Sequence, residues 1–211
     1  IHIDSGMNRL GLTKYEIDQL FLSYADCLNN IDVGFIMTHP VSAEEESNPL
    51  NKIQLDYFHK EAKRFPKTPL SFANSYASFL PKEFHCDLAR PGAALYGVNP
   101  LIKKDNPMKS VVSLTSQIIQ LRNIDTNTTV GYGATCDISK GSKTATVPVG
   151  YADGYFRTLS NKGFCAINGK KVPVIGRVSM DLITLDVTEI NNEFLFEGAE
   201  VEIIGPTITV N

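Results

Sequence analysis

Ile1-His-Ile-Asp4 runs directly into Ser5-Gly-Met-Asn-Arg9-Leu-Gly11: an apolar run of strand character, then a glycine-bounded polar turn carrying an arginine. The same join recurs along the first hundred residues. Val33–Met37 delivers Thr38-His39, Leu70–Ala73 delivers Asn74-Ser75, and Leu88-Ala89 delivers Arg90-Pro-Gly92. Amphipathic helical stretches separate the first three runs. Thr13 with Glu16 three residues on forms a capping box. Behind it Ile17, Leu20, Phe21, Tyr24 and Leu28 share one face, and Asn29-Asn30 is expected to end the helix. A second helix is expected after Pro49, through Ile53, Leu55, Phe58 and Ala62, before Pro66. Strand–helix repeats of this kind give parallel strands joined by right-handed crossovers. Polar groups at the carboxyl ends of successive parallel strands converge on one face, and there barrel enzymes work. About four such units cannot close an eight-stranded barrel, so the sheet is open or the remainder lies elsewhere.

From about Met108 the pattern changes. Val111–Leu121, Thr144–Val149, Phe164–Ile167, Val172–Arg177, Leu182–Val187 and Glu200–Ile204 are short runs rich in β-branched residues, separated by turns such as Lys140-Gly141 and Asn168-Gly169. That spacing predicts an all-β domain, sandwich or barrel-like, after a linker from Asn99-Pro100 to Asn106-Pro107. The fold class is therefore α/β plus all-β.

The net charge of −3 gives no electrostatic reason to expect nucleic acid or an anionic membrane as partner. Cys27, Cys86, Cys136 and Cys165 have neither metal-ligand spacing nor the density of a disulfide framework, which points to a reducing cytoplasm. No apolar stretch has membrane-spanning length and no signal peptide is evident. The chain opens inside a strand pattern and ends inside another, as a piece of a longer protein would.

The strand-end residues each have two readings. Arg9 is a surface arginine by composition, or a bidentate clamp for a carboxylate or phosphate. His39 is a structural histidine by default. Asn74-Ser75 caps the following helix, but a serine at a helix N-terminus is also where phosphate binds. Arg90-Pro-Gly92-Ala93-Ala94 sets backbone N–H groups beside an arginine, which suits an anion. Barrels often keep phosphate at their last two strand ends. Together these favour a phosphorylated ligand. In the β region, Val130-Gly-Tyr132-Gly and Val149-Gly-Tyr151-Ala-Asp-Gly place tyrosines between small residues, either packed or left accessible for proton transfer. Glu44–Glu46 reads as a solvated loop, and His2, His59 and His85 form no metal motif.

Seven stretches in order resemble alanine racemase: Asp4–Gly11, Thr38-His39, Ala73-Asn-Ser75, Arg90–Gly97, Val130–Thr135, Gly150–Gly154 and Gly176–Asp181. The resemblance implies a pyridoxal 5'-phosphate enzyme with an N-terminal (β/α)8 TIM-type barrel and a C-terminal β domain. Residues 1–100 would then be the C-terminal half of that barrel and 108–211 a truncated β domain. The implied reaction interconverts L- and D-alanine by two-base proton transfer on a pyridoxal-phosphate aldimine, supplying D-alanine for peptidoglycan. Tyr132 matches one base. A hydrogen-bonded chain from Tyr132 to His39 to Arg90 is implied, with Arg90 facing the pyridine nitrogen. Asn74, Ser75, Gly92 and Ala93 match cofactor-binding positions, and Arg9, Tyr151 and Met180 match substrate-binding ones. The resemblance also implies a homodimer in which Tyr132 and Met180 enter the partner's site, and no metal.

The departures carry expectations of their own. No lysine here has the context of the family's cofactor lysine, in a Val-Lys-Ala-Asn-Ala-Tyr-Gly-like motif, so this chain alone is expected to be inactive without an N-terminal half, in cis or as a separate polypeptide. A family tyrosine that helps bind phosphate would lie beyond Asn211. His2 stands where some members carry a modified lysine beside the arginine, and Ser71 where some have a second histidine. Two alternatives remain open on the sequence: a non-catalytic racemase-derived piece, and a related barrel enzyme acting on serine.

Overall fold

Thr13 caps the first helix as its spacing predicts. Its hydroxyl accepts from the Glu16 N–H at 3.3 Å and the Glu16 carboxylate accepts from the Thr13 N–H at 2.8 Å. The helix they start, α1 (Lys14–Ser23), is shorter than expected: it ends at Ser23, and Ala25–Asn30 continue as a tighter 3-10 turn. Ile17 is buried, Leu20 and Phe21 are half-buried, and Tyr24 is exposed. The second helix, α2 (Pro49–Ala62), starts at the Asn48 cap, where the side-chain oxygen accepts from the Leu50 N–H at 3.0 Å.

These helices belong to the first of two units, Ile1–Lys109 and Ser110–Asn211, in a computed structural model describing residues 1–101 and 104–210. Ile102 and Lys103 of the expected linker, and Asn211, lie outside the described residues. In the first unit β1 (Ile36–Met37) pairs in parallel with β2 (Leu70–Ser71). Ile1–Asp4 joins on the other side of β1, with Ile3 N–H donating to the Met37 carbonyl at 2.8 Å. The fourth expected run, Leu88-Ala89, forms no strand; the chain returns beside the end of β2, where the Arg90 N–H donates to the Ala73 carbonyl at 2.9 Å. The regular ladder is only two residues long per strand because each run gives way to its polar loop almost at once. Ile3, Ile17, Ile36, Leu55, Phe58 and Phe72 pack together as the core.

One expectation about α2 needs correction. Ile53, expected on the buried face, is 59% exposed, whereas Asn51, Gln54 and Glu61 are buried beside Leu55 and Phe58. The inward stripe carries polar groups because loops, not only apolar side chains, lie against it.

The second unit is the expected β domain. β3 (Leu114–Gln117), β4 (Gln120–Asn123), β7 (Lys143–Val147), β8 (Phe164–Ile167), β9 (Lys170–Ile175), β10 (Ile183–Asp186) and β11 (Glu200–Ile204) form one sheet in the order β3-β11-β8-β9-β10-β7-β4. Its two edges are consecutive parts of one run. Ile118 N–H donates to Ala199 and Ile119 N–H to Thr146, both at 2.9 Å, so Leu114–Asn123 bonds to β11 first and to β7 next. The sheet is thereby curled until its two terminal strands become successive parts of one run. Ala145 and Val147, Val172 and Val174, Ile183 and Leu185, Val201 and Ile203 alternate inward to fill the interior. β8 and β9 are joined by Asn168-Gly169, both at positive φ, as a two-residue hairpin demands. A separate hairpin, β5 (Thr128–Val130) with β6 (Cys136–Ile138), was not foreseen; its strands are too short to show a period. No helix among the described residues is long and apolar enough to cross a membrane.

Candidate active site

In the first unit the loops after the four runs are tied together by hydrogen bonds. The Asp4 carboxylate accepts from the N–H groups of Gly6, Met7 and Asn8 at 2.9, 2.9 and 3.1 Å, which folds the turn that presents Arg9. Arg9 is exposed, and its guanidinium makes no hydrogen bond or ion pair among the described residues. It is therefore available to a ligand.

Thr38 is buried at the end of β1, and its hydroxyl lies 2.7 Å from that of Ser5. Its carbonyl accepts from Arg90 Nη2 at 2.7 Å. Arg90 Nη1 donates to the Ser71 hydroxyl, which itself donates to the Leu88 carbonyl at 2.7 Å. A half-buried guanidinium is thus held by neutral oxygens, with no carboxylate partner among the described residues. Burial lowers its pKa, but an arginine keeps its charge in a protein. His39 follows Thr38. Its pKa is held below the ordinary 6.5, chiefly by burial and then by the positive charges of Arg90, Arg9 and His2. His2 is lowered likewise, by burial first and then by Arg90.

Asn74 and Ser75 divide the two roles the sequence left open. Asn74 Oδ1 accepts from the Ala77 N–H at 2.9 Å, a local cap. The Ser75 hydroxyl instead receives the N–H groups of Gly92 and Ala94 at 2.8 and 3.2 Å. A Cβ at Gly92 would meet nothing within 4 Å, so that side of the cradle is open. Gly92 and Ala93 enter the short 3-10 turn Ala93–Tyr96.

In the second unit Tyr132 occupies the tip of the β5–β6 hairpin and is 72% exposed. Gly131 and Gly133 on either side both have positive φ, at 75° and 74°, which turns the phenol outward. The turn of the hairpin rests on Gly176-Arg177: a Cβ at Gly131 would stand 3.0 Å from the Arg177 backbone nitrogen. Tyr132 and Arg177 line a cavity of about 680 Å³ with Arg122, Thr146 and Thr184. Arg177 also lines a smaller one of about 370 Å³ with Arg157 and Asn161. Tyr151 and Met180 are brought side by side, since Tyr151 N–H donates to the Ser179 carbonyl at 3.1 Å and Ala152 N–H to Met180 at 3.0 Å. Both side chains are largely exposed. No group of three or more His, Cys, Asp or Glu able to hold a metal occurs among the described residues.

Two features escaped the sequence reading. Arg177 stands in the sequence only as part of the Gly176–Asp181 stretch, with no role of its own. Gln54 is a polar residue on a helix face whose pattern is legible only through its apolar members; its spacing from Asn51, Phe58 and Glu61 is the signal that marks it as inward.

Comparison with known proteins gives a consistent result. Residues 1–100 match the family model for the alanine racemase N-terminal domain, and residues 111–211 that for the alanine racemase C-terminal domain. Alanine racemase of Rhodospirillum rubrum is 46% identical over 211 residues, all of this chain and 56% of that protein. The Rickettsia bellii alanine racemase is 45% identical over 210 residues, 99% of this chain and 51% of that protein. Among solved structures, alanine racemase from Bartonella henselae with covalently bound pyridoxal phosphate aligns with TM-score 0.87 at 40% identity, over 98% of this chain and 57% of that one. Alanine racemase from Bacillus anthracis with bound L-Ala-P aligns with TM-score 0.84 at 26% identity, over 97% and 54%. The chain spans about half the length of the relatives it matches.

Proposed function

The chain belongs to the alanine racemase family, and from that membership we propose that the protein containing it interconverts L- and D-alanine with pyridoxal 5'-phosphate. In this reading residues 1–100 are the C-terminal half of a (β/α)8 barrel and 108–211 most of the β domain. The observation that carries it is the Arg90 guanidinium, half-buried and bound only to the neutral oxygens of Ser71 and Thr38. A buried cation that lacks a counter-ion suits an unprotonated ring nitrogen or an anion. The Ser75 hydroxyl accepts from the N–H groups of Gly92 and Ala94 and so keeps its own proton to donate, beside the open Gly92 side, which fits a phosphate. Asn74 and Ala93 shape that cradle. When bound, the cofactor supplies the electron sink for the pair left at the substrate Cα.

The chain's own residues supply the rest. Arg9 takes the substrate carboxylate. Tyr132 Oη moves the Cα proton. A phenol has an ordinary pKa near 10, and bringing it to neutrality takes roughly 4 kcal/mol of preferential stabilisation of phenolate. The partner subunit's His39 and Arg90 are the groups proposed to provide it. Tyr151 and Met180 bound the side-chain pocket and favour a small amino acid. The exposure of Tyr132 and Met180, at 72% and 54%, supports a homodimer in which each reaches the partner's site. Exposed Leu10, Tyr15, Leu22, Leu95 and Tyr96 on the first unit support a missing covering half that bears the Schiff-base lysine. The product would serve peptidoglycan synthesis in the cytoplasm.

The test is a full-length protein carrying the upstream lysine motif, assayed for D-alanine formation from L-alanine. Turnover is expected, with loss of about 10²–10⁴ in rate for Tyr132→Phe. This chain without that half is expected to be inactive. Absence of racemisation by the full-length protein overturns the reading, and faster turnover of serine than alanine replaces the substrate.

A further inference from the structure

We propose that Gln54 is a positioning residue of this site, whose carboxamide fixes the Arg9 turn and the His39 strand end against each other; the inference rests on the racemase reading above. Gln54 lies on α2 and is only 2% exposed. A buried carboxamide is costly unless its hydrogen bonds are made, and an apolar side chain of the same size would fill the space as well. Its bonds reach three separate points. Oε1 accepts from the Val41 N–H at 2.9 Å. Nε2 donates to the Ser5 hydroxyl at 3.1 Å and to the His39 carbonyl at 3.3 Å. Gly6 lies on the amide itself, since a Cβ there would be 3.6 Å from Nε2.

The contacts continue inward. Ser5 Oγ is 2.7 Å from Thr38 Oγ1, and the Thr38 carbonyl receives Arg90 Nη2 at 2.7 Å. One carboxamide thus stands at the head of a bonded series, Gln54–Ser5–Thr38–Arg90, that joins three loops. Arg9 lies four residues past Ser5 on the same turn, and His39 shares its carbonyl with Gln54. Gln54 touches no reacting atom; it acts through the loops it joins. Displacement of such groups by about 1 Å costs on the order of 10²-fold in rate.

Two variants of the full-length protein test this. Gln54→Met removes all three bonds. Gln54→Glu keeps the acceptor for Val41 and the side-chain length, and can still accept from Ser5, but an ionised carboxylate cannot donate to the His39 carbonyl and repels it. Both are expected to lose 10- to 100-fold in kcat/KM for alanine, to keep cofactor absorbance, and to exchange the Met7 and Asn8 amides at least tenfold faster than wild type. Wild-type kcat/KM in either variant overturns the proposal, as do unchanged exchange rates at Met7 and Asn8. If Gln54→Met fails to fold, Gln54→Glu decides alone. Should the wild type not racemise alanine, the functional reading falls, while the exchange rates still decide whether Gln54 holds the turn.

Discussion

Arg90 rests on Ser71: Nη1 donates to the serine hydroxyl, and that hydroxyl in turn donates to the Leu88 carbonyl at 2.7 Å. Through Nη2 the same guanidinium holds the Thr38 carbonyl, so one rigid fork spans the ends of β1 and β2. The charge is fixed in direction without being neutralised, which keeps it available to a ligand.

Ser71→Ala removes the acceptor for Arg90 and the donor to Leu88 at one stroke. It is expected to destabilise the full-length protein by about 1–2 kcal/mol. Arg90→Lys should cost at least as much, because an ammonium cannot reach both oxygens in the fork's geometry. Urea unfolding midpoints check both, and wild-type midpoints would contradict the bracing role.

Acidification should weaken the first unit through His2 and His39. Both have folded pKa values below 6.5. The unfolded chain therefore takes up the protons first as pH falls, and stability declines from about pH 7 downward while staying level above it. Unfolding midpoints between pH 8 and pH 5.5 measure this. His39→Asn should flatten part of the slope, and a wild-type midpoint independent of pH in that window would refute the account.

Gly150 meets Met180 backbone to backbone. A Cβ there would stand 2.1 Å from the Met180 carbonyl oxygen, far inside contact distance. Gly150→Ala should force the Tyr151 and Met180 segments apart and cost about 2–3 kcal/mol. A thermal melt within 1 °C of wild type would show that the two segments separate freely.

The cysteines should react in order of burial. Cys27 is exposed, whereas burial pushes the Cys165 thiol up to about 12. At pH 8 an alkylating reagent is expected to label Cys27 in the native protein and Cys165 only after unfolding, read by mass spectrometry of peptides. Early labelling of Cys165 would mean that the barrel interior opens.

The sequence by itself determined where α1 and the β8–β9 hairpin begin and which polar groups follow the first unit's apolar runs. The Thr13 cap, the Asn168-Gly169 hairpin and the placement of His39 and Ser75 just past β1 and β2 are local matters, written in neighbouring residues. Only the tertiary structure decided which of those groups bond to one another. That Ser75 receives Gly92 and Ala94, that Arg90 leans on Ser71, and that Leu114–Asn123 serves both edges of its sheet depend on contacts between residues far apart in the chain. Gln54 is the sharpest case, because helical periodicity reports which residues face inward but not what they meet there. Apolar burial is non-directional and legible as a pattern, whereas a hydrogen bond needs a partner at a set distance and angle, and only the folded chain provides one.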